Sequence, residues 1–279
     1  MAKVGIFGGS GLYKIEGLEK MDQVSLLTPF GQPSSNFITG RLDGVDVVFL
    51  PRHGKDHTIS PSEVNCRANI FGMKKLGVQA IVSVSACGSL KEEIKPMDFV
   101  VPDQFIDLTK GRQASFFVGG VVAHVSLADP FSPELRHILI DSARAAGLAV
   151  HGRGTYINME GPQFSTRAES NLYRSWGMDI IGMTNATEAK LAREAEISYA
   201  TLAAVTDYDC WREATEDVTV EMVIANLHKN VDNAKKILKS AIPAIGALKD
   251  FSANGALKYA VLTPRNAINE NKKKELEFF

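Results

Sequence analysis

The sequence predicts a single α/β domain in which a β-sheet is flanked by helices. Short runs rich in β-branched and small apolar residues recur at 3–7 (KVGIF), 45–50 (VDVVFL), 78–84 (VQAIVSV) and 198–206 (SYATLAAVT). Such runs read as strands buried on both faces. Between them lie stretches with helix start and stop signals. Strand after strand ends in small, hydroxyl-bearing or charged residues, where open α/β sheets bind their ligands.

Composition bounds the function. The chain has 279 residues, 45% hydrophobic and 23% charged, an ordinary globular balance. A formal net charge of -1 argues against nucleic acid or an anionic membrane as the main partner. No stretch has the length needed to cross a bilayer. Met1-Ala2-Lys3 runs straight into a strand, and Gly8-Gly9 breaks the apolar run, so no signal peptide is expected. The three cysteines, Cys66, Cys87 and Cys210, are odd in number and set in apolar segments, which predicts free thiols in a reducing cytoplasm.

Taken in order, strand 3–7 leads into Gly8-Gly9-Ser10-Gly11. Glycines let backbone N–H groups approach an anion and Ser10 adds a hydroxyl, so the turn is an oxyanion site or a plain turn. It fits neither the dinucleotide fingerprint nor the P-loop. Strand 45–50 ends on Pro51-Arg52-His53-Gly54, where Arg52 offers a planar fork for phosphate. His53-x-x-x-His57 has a metal-like interval, but Gly54 disfavours a helix there and no further ligand is in view. Ser60-Pro61-Ser62-Glu63 reads as a capping box opening a helix that stops at Gly77.

Strand 78–84 runs into Ser85-Ala86-Cys87-Gly88-Ser89, small residues against which a ligand can lie, with Ser85 a donor to a phosphate oxygen. Cys87 has no visible base to activate it and reads as a packed thiol. Residues 98–102 form a short strand, and 104–120 read as a loop. His124 is ambiguous between site and structure. Ser132-Pro133-Glu134 caps a helix ending at Gly147. Strand 154–159 reaches Phe164-Ser165, where Phe164 is either a stacking wall for a flat ring or core. Thr166-x-x-Glu169 opens a helix, strand 179–183 finishes on Thr184-Asn185, and an alanine-rich helix covers 188–195.

The strand 198–206 ends in Asp207-Tyr208-Asp209. On extended backbone the two carboxylates share a face, and nearby carboxylates resist ionising together. That makes a proton donor beside an acceptor; the alternative is a helix N-cap plus a solvated loop acid. An amphipathic helix covers 219–245. Beyond Arg265 the composition turns polar, and 266–279 reads as a solvated, frayed tail outside a domain spanning 1–265.

Several segments carry a resemblance: GGSGL, TPFGQPS, PRHG-x-x-HTI-x-PS-x-V-N, ACGSL-x-EEI, DQFID-x-T, EGPQFS-x-RAES, MT-x-x-x-E-x-x-LA-x-E, TDYDCW and AVLTPR. In this order they are similar to the 5'-methylthioadenosine phosphorylases of the trimeric purine nucleoside phosphorylase family. The resemblance implies a single-domain mixed β-sheet flanked by helices, of the nucleoside phosphorylase type. It implies phosphorolysis of 5'-methylthioadenosine to adenine and 5-methylthioribose 1-phosphate, with phosphate as co-substrate and no cofactor. By the same resemblance Ser10, Arg52, His53, Ser85, Ala86 and Thr184 meet phosphate, and Ala86, Phe164, Met183, Asp207, Tyr208 and Asp209 meet the nucleoside, with Asp207 the catalytic acid. Ser165 and Val220 bear on substrate choice, and Val223 and Ile224 on an alkylthio pocket. His124 and Leu262 complete a neighbouring subunit's site, which implies a homotrimer. Ser10 and Ser85 stand where threonine is common, Gln163 where arginine often stands, and Thr187 where proline is usual. A six-oxopurine phosphorylase, a water-using nucleosidase and a nucleoside-binding protein are the rival readings.

Overall fold

The structure, a computed structural model, describes residues 1–9, 11–12, 14–212, 220–277 and 279, and within 220–227 the side chain of Asn226 only. In chain order the strands are β1 (Lys3–Gly8), β2 (Leu18–Val24), β3 (Phe37–Leu42), β4 (Val45–Pro51), β5 (Val78–Ser89), β6 (Phe99–Val100), β7 (Gln104–Asp107), β8 (Val150–His151), β9 (Thr155–Asn158), β10 (Ile180–Gly182) and β11 (Ser198–Asp207). The helices are α1 (Cys66–Lys75), α2 (Pro133–Ala145), α3 (Arg167–Ser175), α4 (Asn185–Glu194), α5 (Val220–Gly246) and α6 (Glu270–Glu275).

All eleven strands join one mixed sheet whose main path runs β2-β3-β4-β1-β5-β10-β9-β7. Off that path, β11 pairs with β5 and β6, and β6 with β8. β5 is the hub. It runs parallel to β1 on one edge and to β11 on the other, then pairs antiparallel with β10 at Gly88 and Ser89. Alternation along the strands feeds two cores, as the period of two requires. Val4, Ile6, Ala80, Val82, Ala200 and Leu202 face α2 and α5 through Leu135, Leu139, Ile237 and Leu238. Phe7, Ile81 and Tyr199 face α1 and α4 through Ile70, Met73, Leu191 and Ala192.

The expected strands are present, with informative differences at their ends. The 60–63 box forms, with Glu63 Oε2 accepting from Ser60 N–H at 3.1 Å and from its hydroxyl at 2.6 Å. It closes only a turn, and the helix starts at Cys66. There Asn65 caps the Ala68 N–H while its own amide donates to Phe30 O, anchoring the chain elsewhere. β5 continues past Val84 because β11 accompanies it as far as Gly88. Residues 104–107, expected as loop, form β7 against β9. α4 begins at Asn185, three residues early, with Thr184 as its N-cap residue.

Residues 266–279 correct the frayed-tail reading. A short 3-10 turn (Arg265–Ala267) leads into α6, and Lys272 is buried. The Phe279 ring lies 4.5 Å from Phe116 and 6.0 Å from both Phe71 and Phe117, centroid to centroid. Ile268 and Leu276 join the same core. The polar composition hid three apolar side chains spaced to reach one surface. Because Phe279 is only half-buried, Phe279→Ala should cost about 1–2 kcal/mol, less than a fully buried aromatic, and lower Tm by a few degrees. Chemical denaturation of the two proteins measures it, and an unchanged midpoint would mean that the tail contributes nothing.

Candidate active site

Four parallel strands, β4, β1, β5 and β11, deliver their carboxyl ends to one rim of the sheet. Gly8 of β1 lies level with Pro51 of β4, and the Arg52 N–H donates to Gly8 O at 3.1 Å. On β5, Ser85 and Ala86 face Ala203 and Ala204, and Gly88 faces Asp207, the last residue of β11. An Arg52 Nη1–H donates to Val84 O at 3.3 Å. Arg52 and Asp207 are thus tied to points on β5 four residues apart, roughly 13 Å at strand rise. That is the span of phosphate, ribose and purine set in a row.

At one end sits a buried cation. Arg52 is 3% exposed, and its fork is already engaged. Nε donates to Glu188 Oε1, and Nη2 to Ser83 Oγ at 2.5 Å and Glu188 Oε2 at 3.2 Å. Glu188 Oε2 also accepts from Tyr199 OH at 2.7 Å and from Ser83 Oγ at 3.0 Å. Burial alone would lower the guanidinium's pKa; the Glu188 carboxylate outweighs it and pushes it up. The free planar fork expected from sequence is therefore not on offer, because a charge this deep needs a counter-charge. One Nη1–H remains among the five donors. Beside it, burial and then Arg52 push His53 down to about 4, so the imidazole is neutral near pH 7. Its Nδ1 lies 2.9 Å from Ile59 O; a carbonyl only accepts, so Nδ1 carries the hydrogen and Nε2 is an acceptor. Among the described residues the buried hydroxyls Ser85 Oγ and Thr184 Oγ1 make no hydrogen bond.

At the other end only the first of the two acids lies on extended backbone. Asp209 has φ +54, and its N–H turns back to Asp207 Oδ1 at 2.7 Å. Both acids nevertheless pack on one point: a Cβ added to Gly88 would stand 3.0 Å from Asp207 Oδ1 and 3.3 Å from Asp209 Cβ. Thr206 donates to Asp207 Oδ2 at 2.6 Å. Burial raises the Asp207 pKa against the bonds from Thr206 and Asp209 N–H. Burial also raises Asp209, which sits beside the Ser170 and Ser165 hydroxyls, and the neighbouring Asp207 adds to the rise. Asp209 is 9% exposed, which removes the solvated loop acid from consideration.

The walls come from loops. Phe164 is 57% exposed, and Ser165 O accepts from Cys210 Sγ at 3.1 Å, tying this loop to the acids. Met183 packs on Gly161, where an added Cβ would meet its sulfur at 2.5 Å. Tyr208 turns its phenol to Glu92 O at 3.4 Å and its ring to Arg212, so its part in any site falls to the backbone. Asn226 and Asn230 on α5 donate to Thr206 O at 2.7 Å and Val205 O at 2.9 Å, fixing the end of β11. Ser10 and the side chains of Val220, Val223 and Ile224 lie outside the described residues. His124 and Leu262 are brought to each other rather than to the strand ends: His124 N–H donates to Ala260 O and Leu262 N–H to Val122 O, both at 2.9 Å.

Sequence reasoning gave no role to Glu188 and Arg112. Glu188 shares its helix with Lys190, Arg193 and Glu194, so nothing set it apart, and Arg112 lies in a loop without a motif.

Comparison with known proteins fits this geometry. Residues 3–243 match the family model of the phosphorylase superfamily. The S-methyl-5'-thioadenosine phosphorylases of Geobacter sulfurreducens and Thermosynechococcus vestitus are each 54% identical, over 98% and 99% of this chain and 96% of their own. A crystal structure of a methylthioadenosine phosphorylase from an antarctic soil metagenomic library superposes with a TM-score of 0.95 at 50% identity, covering 99% of this chain and 98% of that one. The Schistosoma mansoni methylthioadenosine phosphorylase in complex with adenine gives 0.87 at 40% identity, covering 94% and 99%. The chain belongs to the phosphorylase superfamily and, within it, to the methylthioadenosine phosphorylase family.

Proposed function

We propose that the chain catalyses phosphorolysis of 5'-methylthioadenosine, releasing adenine and 5-methylthioribose 1-phosphate. The observation that carries this reading is a pair of buried acids with raised pKa set one nucleotide-length along β5 from an anion cradle. The names of the relatives point the same way.

In this reading Arg52, the hydroxyls of Ser10, Ser85 and Thr184, and the backbone at Ala86 hold phosphate beneath the anomeric carbon. His53 Nε2 accepts a hydrogen bond from a protonated phosphate oxygen. The ribosyl C–N bond breaks as the C–O bond to phosphate forms, with inversion, through an oxocarbenium-like state. The electron pair of the broken bond goes to the purine. Asp207, whose pKa burial raises, is the acid that in its protonated form gives a proton to the purine N7, while Asp209 accepts from the six-amino group. Phe164 and Met183 flank purine and ribose. Ser165 and Val220 bear on substrate choice, and Val223 and Ile224 line the alkylthio end.

Assembly as a cytoplasmic homotrimer belongs to the same proposal. His124 and Leu262 lie on a strip exposing Val122, Tyr259 and Leu262, suited to meeting a neighbouring copy's site. No described helix is long and apolar enough to cross a membrane.

Adenine release from methylthioadenosine should require phosphate; release without it would make the protein a nucleosidase, and binding without turnover a sensor. Methylthioinosine should be worse by ~10⁴ in kcat/KM, because an ionised Asp209 cannot donate to a six-oxo group; equal efficiency overturns the assignment of the acids.

Asp207→Asn should lower kcat by ~10²–10⁴-fold and abolish the alkaline limb that arises as the acid loses its proton. The same substitution should raise Tm increasingly as pH rises above the ordinary aspartate range. A carboxyl whose folded pKa is raised contributes stability below its unfolded pKa and loses it as pH rises through the folded value. Asparagine keeps an oxygen for the Asp209 N–H and can donate to Thr206 Oγ1, which still has Cys87 O at 3.2 Å as acceptor. Thermal melts between about pH 4 and pH 9 should show the gap closing towards acid.

A further inference from the structure

Arg112 lies on the loop after β7, in no segment that sequence or mechanism singled out. Its side chain is 6% exposed and donates in three directions. Nε reaches Glu160 Oε1 at 2.9 Å, Nη2 reaches the Glu160 main-chain oxygen at 2.6 Å, and Nη1 reaches the Met183 main-chain oxygen at 2.5 Å. Glu160 is in turn the acceptor for Ser62 Oγ at 2.8 Å and for the Lys110 N–H. Burial would raise the Glu160 pKa, but the bonds from Lys110, Arg112 and Ser62 outweigh it and hold the group below the usual carboxylate range. One ion pair thus gathers the loops that follow β4, β7, β9 and β10.

Two of those loops carry the nucleoside-side wall. Glu160 is followed within four residues by Phe164, and the bond to Met183 O fixes the residue before Thr184. The segments also touch, since a Cβ added to Gly161 would run into the Met183 side chain. Thr184, by contrast, is the N-cap residue of α4, which is held separately by Ala186 N–H donating to Asn158 Oδ1 at 3.0 Å. The Arg112 bonds therefore bear on the purine and ribose wall and leave the phosphate end to another anchor.

We propose that Arg112 is a positioning residue for the nucleoside: it locks the Glu160–Phe164 loop against Met183, setting the width of the slot between Phe164 and Met183 without touching substrate. This rests on the reading of the site given under Proposed function. Lysine cannot replace it, because one ammonium cannot hold a carboxylate and two carbonyls along three fixed directions.

The test compares wild type, Arg112→Ala, Arg112→Lys and Glu160→Gln by initial rates with each substrate varied, and by thermal melts. Arg112→Ala should raise KM for methylthioadenosine by about 10- to 100-fold, the scale expected when a bound group is misplaced by an ångström. KM for phosphate should move by less than about threefold, because α4 is anchored independently. Added guanidinium should restore part of the loss in Arg112→Ala, and Arg112→Lys should stay impaired. Glu160→Gln, which keeps the shape but not the charge, should shift the nucleoside KM in the same direction by a smaller factor. An unchanged nucleoside KM in a folded Arg112→Ala protein overturns the proposal. So does an equal rise in both KM values with no response to guanidinium, since that is general loosening. Wild type without phosphate-dependent turnover would overturn the functional reading itself, and is told apart because it needs no variant.

Discussion

The strand ends stay together because of a charge that cannot be left alone. Arg52 leaves β4, and its guanidinium lies under the rim of the sheet, where water does not reach. Glu188 from the first turns of α4 neutralises it, and Ser83 of β5 and Tyr199 of β11 complete the polar cluster. Such a pair adds little net stability over a well-packed apolar substitute, but removing one member strands the other at about 3–5 kcal/mol. Its effect is on geometry. Four elements must meet at one register for every donor to find its acceptor, and that register sets Ser85 and Asp207 at their places along the rim.

Much of the architecture was legible because buried parallel strands announce themselves. The runs at 3–7, 45–50, 78–84 and 198–206 have no solvent face, and all became central strands. Elements with partial exposure were less visible: β2, LEKMDQV, is mostly solvated and carries charge at three of seven positions. β7 is four residues long and its pattern competes with turn chemistry. The capping box at Ser60 formed its hydrogen bonds without opening a helix, because local signals specify a turn and only tertiary contacts decide whether a helix grows from it. In the same way polar composition misrepresented the C-terminal segment, whose Ile268, Leu276 and Phe279 suffice to dock it.

For the site, residue types at strand ends were readable, but their electrostatic state was not. An arginine after a strand reads as an anion receptor; that its fork is filled by Glu188, 136 positions away, depends on the packing of α4 against β11. Asp207 and Asp209 read as a pair, yet the pairing comes from a left-handed residue that folds the chain back rather than from strand alternation. Gly88 is the small residue that admits both acids. The loop cluster around Arg112 had no periodicity or motif to reveal it, since loops converge only after the sheet has placed them.

The neutralised cradle has a consequence for when the anion is held. Arg52 and Glu188 sum to zero, and His53 is uncharged near pH 7. In the proposed reaction an incoming phosphate therefore meets dipoles rather than a free cation, and its binding in the ground state stays modest. The missing positive charge arrives with the chemistry, as the sugar itself becomes cationic a few ångströms above. Attraction between the two then grows along the reaction coordinate, and the pocket favours the fleeting species over the resting one.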